Sequence, residues 1–146
     1  MGRILAIDYG KKRTGLAVTD LQQIIASPLD SLPTAEVESY LSVYLAKEAV
    51  DLIVVGYPVD MNNKPSESVR YINPFLKKVG KLFPDIPVIQ FDERFTSRIA
   101  FRAMVDGGVK KSRRKDKGMI DRISATVILQ SFLERRAFLK EKEQLT

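Results

Sequence analysis

Apolar positions along this chain fall into short blocks whose period changes from one block to the next. Residues 3–9 (RILAIDY) are rich in Ile, Leu and Ala up to Asp8 and predict a buried strand. Residues 15–19 (GLAVT) predict a second strand, and Gly10-Lys11-Lys12-Arg13 between them a short turn, so the pair should form a hairpin. Residues 23–29 (QIIASPL) predict a third strand after a turn at Asp20. Pro28 has no N–H to donate, which places that strand at a sheet edge.

The period then lengthens. Thr34 is a candidate N-cap, and Val37, Leu41, Tyr44 and Leu45 recur at helical spacing. Residues 51–56 (DLIVVG) predict a strand stopped by Gly56 and Pro58, followed by a polar loop over 60–66. A second helical stripe, Val69, Ile72, Leu76, Val79 and Leu82, starts near Ser66; Pro74 inside it predicts a kink or a late start. Residues 86–92 (IPVIQFD) predict another strand. Thr96 or Ser97 should cap a helix ending near Gly107-Gly108, and a last helix should run from about Gly118 into the charged tail. The order β-β-β-α-β-α-β-α-α predicts an α/β fold. Its mixed five-stranded sheet should have the first strand central and helices on both faces. No internal repeat or linker divides the sequence, so residues 1–146 are read as a single domain.

Composition narrows the chemistry. The chain has 146 residues with neither cysteine nor histidine. Thiolate chemistry and disulfides are excluded, and so are the usual general base and the usual zinc ligands. Acid–base and metal chemistry must run mainly on Asp, Glu, Lys, Tyr, Ser and Thr, and oxygen ligands favour Mg2+ or Mn2+. No apolar stretch reaches the ~20 residues of a membrane span, and the N-terminus does not read as a signal peptide; the expected location is cytoplasmic. The formal charge of +6 is concentrated. Lys110, Lys111, Arg113, Arg114, Lys115 and Lys117 stand against one acid, Asp116, a local +5 that leaves about +1 for the rest. Such a patch is the electrostatic footprint of a phosphate-binding segment, although charge runs are commonly just solvated.

Three carboxylates occur where the pattern predicts burial. Asp8 ends the first strand on the face of Ile4 and Ala6, and Glu93 ends the last strand on the face of Ile89 and Phe91. Asp121 opens the final helix on the stripe continued by Ala125, Ile128 and Phe132. An ionised carboxylate in such company costs several kcal/mol unless compensated. Parallel crossovers bring strand ends to one edge of the sheet, where the three acids would raise one another's pKa and a divalent cation would resolve the repulsion. The plainer reading is turn-forming and capping carboxylates. Asp92 rivals Glu93, and Arg94 is placed to pair with either acid or to meet nucleic acid. Lys11, Lys12 and Arg13 follow Asp8 closely and are candidate phosphate contacts. Tyr9, Tyr57 and Phe95 adjoin these residues and are candidate stacking platforms for bases.

Four blocks resemble one family. The segment from Ile4 to Asp20 (ILAIDYGKKRTGLAVTD), Val54–Pro58 (VVGYP), Phe91–Ser97 (FDERFTS) and Ile120–Ala125 (IDRISA) are similar, in order, to the motifs of the YqgF family of pre-16S rRNA nucleases, which are Holliday-junction-resolvase-like. The resemblance implies an RNase H-like fold and a metal-dependent nuclease that matures the 5′ end of 16S rRNA. It carries the family's acidic positions onto Asp8, Glu93 and Asp121, with Mg2+ or Mn2+ as cofactor and an rRNA precursor, within or near ribosomal particles, as partner. The loop after Pro58 departs from the family's pattern, reading VDMNNK, and puts substrate contacts there in doubt. The alternatives are a resolvase-like nuclease acting on DNA junctions and a non-catalytic RNA-binding or assembly factor. An actin-like ATPase shares an Asp-x-Gly at a strand end, but such proteins duplicate the fold and this chain has no second half.

Overall fold

The computed structural model describes residues 2–58, 67–96, 101–102 and 117–144. Five strands, β1 (Arg3–Tyr9), β2 (Arg13–Thr19), β3 (Ala26–Pro33), β4 (Val50–Tyr57) and β5 (Val88–Asp92), form one sheet in the order β3-β2-β1-β4-β5. β1 runs antiparallel to β2 and parallel to β4, and the sheet is therefore mixed with β1 at its centre. Ile4, Leu5, Ala6 and Ile7 are all at most 1% exposed. A strand covered on both faces needs an unbroken apolar run, not alternation, which is why β1 reads as one.

Helices cover both faces. Helices α1 (Val37–Lys47) and α2 (Val69–Leu82) pack on the face of Leu5, Ile7, Leu16, Ile53 and Val55. The long helix α3 (Lys117–Gln144) lays Ala125, Ile128, Leu129 and Leu133 on the opposite face, against Ile4, Ala6, Ala17, Val54 and Phe91. Burying a side chain of this size contributes roughly 1.5–3 kcal/mol, so each face is held by several such increments. No helix among the described residues is long and apolar enough to cross a membrane.

Several local expectations shift. β3 begins at Ala26, three residues later than the apolar block predicts. Asp20 Oδ1 accepts the N–H groups of Ile24 and Ile25, and Gln23 adopts a positive φ of 60°. Together they wind residues 20–25 into a turn and leave both isoleucines exposed. β3 is an edge strand, as Pro28 requires. Thr34 does not cap α1; it opens a single 3-10 turn, and its hydroxyl donates to the Gly10 carbonyl at 2.7 Å. α2 continues through Pro74, held by the buried Val69, Ile72, Phe75 and Val79. Phe75 joins this buried stripe, Leu76 packs partly buried against the same core, and Leu82 stays 47% exposed. β5 starts at Val88, two residues later than expected, because Phe83 to Ile86 close a turn first. The predicted helix ending near Gly107-Gly108 and the loop at 60–66 lie outside the described residues, apart from two helical residues at 101–102.

Candidate active site

The site is built at the edge of the sheet where β1, β4 and β5 end. Asp8 is the penultimate residue of β1 and pairs with Gly15 on β2. On its other side the parallel register of Ile7 with Val55 sets Gly56 of β4 beside it. Both flanking positions are therefore glycine, and both are used for close approach. A Cβ on Gly15 would collide with the Asp121 carbonyl oxygen and lie 3.1 Å from the Asp121 Cβ. A Cβ on Gly56 would lie 2.8 Å from Glu93 Oε1 and 2.6 Å from Ile128 Cδ1. The glycines let one acid come down over β2 and another over β4, with Asp8 between them.

Each acid is fixed by its element. Asp8 is followed by a hairpin turn in which a Cβ on Gly10 would meet the Arg13 carbonyl oxygen. The Lys12 carbonyl accepts from Thr34 N at 2.9 Å, and the Thr34 hydroxyl bonds Thr14 Oγ1. The turn is thereby pinned to the end of β3. Glu93 opens a 3-10 turn, Glu93–Phe95, closed by Thr96, whose N–H and hydroxyl both donate to the Glu93 carbonyl. Asp121 lies in the first turns of α3, on the face that carries Ala125 and Ile128 into the core.

The electrostatics centre on Asp8. Burial pushes its carboxyl up to about 6, and the charge of Asp121 adds to the rise. Burial also pushes Glu93 up to about 7, followed by the charges of Asp8 and then Asp92. Asp8 thus repels an acid on either side. No donor to either the Asp8 or the Glu93 carboxylate occurs among the described residues, and two half-buried acids without donors fit an oxygen-ligated divalent cation. Asp121 is placed differently. Its Oδ2 takes bonds from Arg13 Nε at 3.0 Å and from Ser31 Oγ at 3.1 Å. Among the described residues no three acidic side chains stand together as a ready-made cation cage.

The remaining candidates are scattered around this edge. Asp92 is engaged by Arg94, whose Nη2 lies 2.6 Å from its Oδ2, and the hydrogen bonds hold the Asp92 carboxyl below its usual range. Lys11 and Lys12 are exposed at the hairpin tip, and the Lys11 ammonium sits 5.5 Å from the centre of the Tyr71 ring. Arg13 faces Asp121 and Ser31. Tyr9 stacks on Phe75 with ring centres 4.1 Å apart, and the Tyr57 hydroxyl donates to Asn73. Phe95 is 49% exposed, with the Arg135 guanidinium 3.9 Å from its ring centre. Lys110, Lys111, Arg113, Arg114 and Lys115 lie outside the described residues, and of Lys117 only the helical backbone is described. Gly15, Gly56 and Ser31 were missed as site residues. A glycine inside a strand is itself a signal of close approach, whereas nothing local marks Ser31.

Residues 2–135 match the family model of RuvX, described as Holliday junction resolvase. A relative from Phocaeicola vulgatus is 54% identical over 139 residues, which are 95% of this chain and 100% of the relative. One from Parabacteroides distasonis is 51% identical over 138 residues, 94% of this chain and 99% of the relative. Both carry the name "Putative pre-16S rRNA nuclease". Among solved structures, Thermus thermophilus RuvC in complex with a Holliday junction substrate superposes with a TM-score of 0.56 at 13% identity, covering 92% of this chain and 96% of that one. At that identity the likeness concerns the fold, and it identifies the sheet and helices as RNase H-like.

Proposed function

The chain belongs to the RuvX family of Holliday junction resolvases, and we propose that it is a nuclease that hydrolyses phosphodiester bonds at Asp8, Glu93 and Asp121 with Mg2+ or Mn2+, processing the 5′ end of pre-16S rRNA. The observation that carries this reading is the pair of donorless acids, Asp8 and Glu93, pushed up to about 6 and 7 at one sheet edge, first by burial and then by the charges of Asp121 on Asp8 and of Asp8 and Asp92 on Glu93. Such an arrangement is unfavourable for folding alone. It is the arrangement expected where a group from outside is to be bound. The name shared by relatives at about half identity supplies the rRNA precursor as substrate.

When bound, the divalent cation supplies the Lewis acidity that polarises a phosphate and favours an attacking water. The chain's own residues prepare that chemistry. Asp8 and Glu93 would hold the cation as carboxylates. The glycines at 15 and 56 leave room for Asp121 to come close over β2 and for Glu93 to come close over β4. Lys11 and Lys12, exposed beside Asp8, bring positive charge to incoming phosphates, and the run Lys110–Lys117 provides the larger share of non-specific affinity. Arg94 stands next to Glu93 with its guanidinium held by Asp92.

The test is cleavage of a pre-16S rRNA 5′ leader, in isolated RNA and in ribosomal particles, with Mn2+, with EDTA, and with Asp8→Asn. Mn2+-dependent trimming lost in both controls supports the proposal. Binding without cleavage under every condition would make the chain an assembly factor. A four-way DNA junction belongs in the same assay because the family description names it, and preferential junction cleavage would move the substrate from RNA to DNA.

A further inference from the structure

Arg13, Ser31 and Asp121 meet where β2 starts, β3 passes and α3 opens. Arg13 Nε donates to Asp121 Oδ2 at 3.0 Å and Arg13 Nη2 to Ser31 Oγ at 2.8 Å. The Ser31 hydroxyl, already an acceptor, donates onward to the same Oδ2 at 3.1 Å. Three bonds close a ring over residues separated by as many as 108 positions. The pair Arg13–Asp121 is partly exposed, with side chains 39% and 25% accessible. Both donors take one oxygen, and Oδ1 meets no donor among the described residues. Gly15 lies two positions after Arg13 on the same face, and its lack of a side chain lets the Asp121 backbone come close over β2.

A cation site made of three acids needs each one at a set distance, yet excess negative charge binds a dication in several ways at once. A fork that grips one oxygen leaves a single oxygen to offer, and its fixed charge offsets part of the site's attraction. We propose that Arg13 and Ser31 are positioning residues that hold Asp121 by Oδ2, present Oδ1 to the cation, and keep cation affinity lower than the three acids would set alone. The inference rests on the nuclease reading for its cation, but its decisive measurement is binding.

The experiment uses the full chain and Mn2+ alone, with affinity read by electron paramagnetic resonance of the free ion and confirmed by calorimetry. Arg13→Gln removes the charge and should tighten Mn2+ binding on the order of tenfold, the scale of one screened unit charge against a dication. The same variant should cleave the rRNA leader more slowly at saturating Mn2+, because Asp121 loses its stance. Arg13→Lys keeps the charge but not the fork. It should bind Mn2+ within about twofold of wild type, the residual expected when charge is kept, and still turn over slowly; Ser31→Ala should behave likewise. Opposite movements of affinity and turnover are not what a purely structural staple gives, since that role would lower stability and leave Mn2+ affinity in place. Unchanged or weaker Mn2+ binding in Arg13→Gln overturns the charge argument. Wild-type turnover in both Arg13→Lys and Ser31→Ala overturns the positioning argument. If Arg13→Gln does not fold, Arg13→Lys and Ser31→Ala decide on turnover and affinity together. A wild type that binds Mn2+ but cleaves nothing removes the nuclease reading while the affinity comparison still decides the clamp; one that binds no Mn2+ overturns both.

Discussion

Asp8→Asn should make the metal-free protein more stable at neutral pH. Folding raises the Asp8 carboxyl from 3.8 to about 6, with burial as the main cause and Asp121 second. Between those two values the folded state keeps a proton that the unfolded chain has lost. Stability therefore falls as pH rises through that window, and above it the charged Asp8 opposes folding in full. A rise of about two units corresponds to at most about 3 kcal/mol. Asp8 keeps some exposed surface, and solvent screening reduces the figure to ~1–2 kcal/mol. For a chain of this length that is roughly 3–6 °C in Tm. The assay is urea denaturation in EDTA at pH 8 and at pH 4 for wild type and variant. The variant should gain ~1–2 kcal/mol at pH 8 and little at pH 4, where the wild-type carboxyl is already neutral. A variant that is destabilised at pH 8, or equally affected at both pH values, would refute the claim that Asp8 is an uncompensated buried charge. Saturating Mn2+ should reverse the order at pH 8, since it stabilises only the chain that binds it.

Mn2+ affinity of the wild type should rise steeply from pH 5 to pH 8, because Asp8 and Glu93 titrate near 6 and 7 and must lose their protons to bind; calorimetry that shows no proton release near pH 6 would count against both as ligands. Gly15→Ala should cost at least ~2 kcal/mol in urea denaturation, since its Cβ would press on the backbone oxygen of Asp121. Gly56→Ala meets only movable ends, Ile128 Cδ1 and Glu93 Oε1; it should cost less stability but displace Glu93 and abolish cleavage. Glu93→Gln should lose metal-dependent cleavage, whereas Asp92→Asn should keep it and change stability by less than ~1 kcal/mol, the scale of an exposed ion pair; the reverse result would exchange their roles. Alanine at Arg113, Arg114 and Lys115 should flatten the slope of log RNA affinity against log salt by roughly two to three, about one per lost phosphate contact.

Much of the fold is legible because burial on both faces leaves a direct trace. The unbroken run Ile4–Ile7 marks β1 as central, Pro28 marks β3 as an edge, and the stripe of Ala125 and Ile128 puts Asp121 on the sheet side of α3. The face of Asp8 follows from counting in twos along β1, whereas Glu93, expected to end β5, leaves the strand for a 3-10 turn. What the pattern hides depends on contacts between distant segments. Ile24 and Ile25 are apolar, so they read as strand, but Asp20 takes their N–H groups and turns them outward. Arg13 reads as a phosphate contact because it follows Asp8 in a basic turn; its partner Asp121 lies 108 positions later. Ser31 enters the site only through the register of β3, which the position of the turn had already shifted. Gly15 and Gly56 did carry a signal, since glycine weakens a strand unless something must come close.

In the proposed site a divalent cation binds between Asp8 and Glu93. Anomalous diffraction from crystals soaked in Mn2+ locates that cation. A peak should appear about 2.1–2.2 Å from carboxylate oxygens of both residues, the distance of small divalent ions from oxygen ligands, and it should vanish in Asp8→Asn. A peak held elsewhere, or none at these carboxylates at pH 8 with well-ordered side chains, would contradict it.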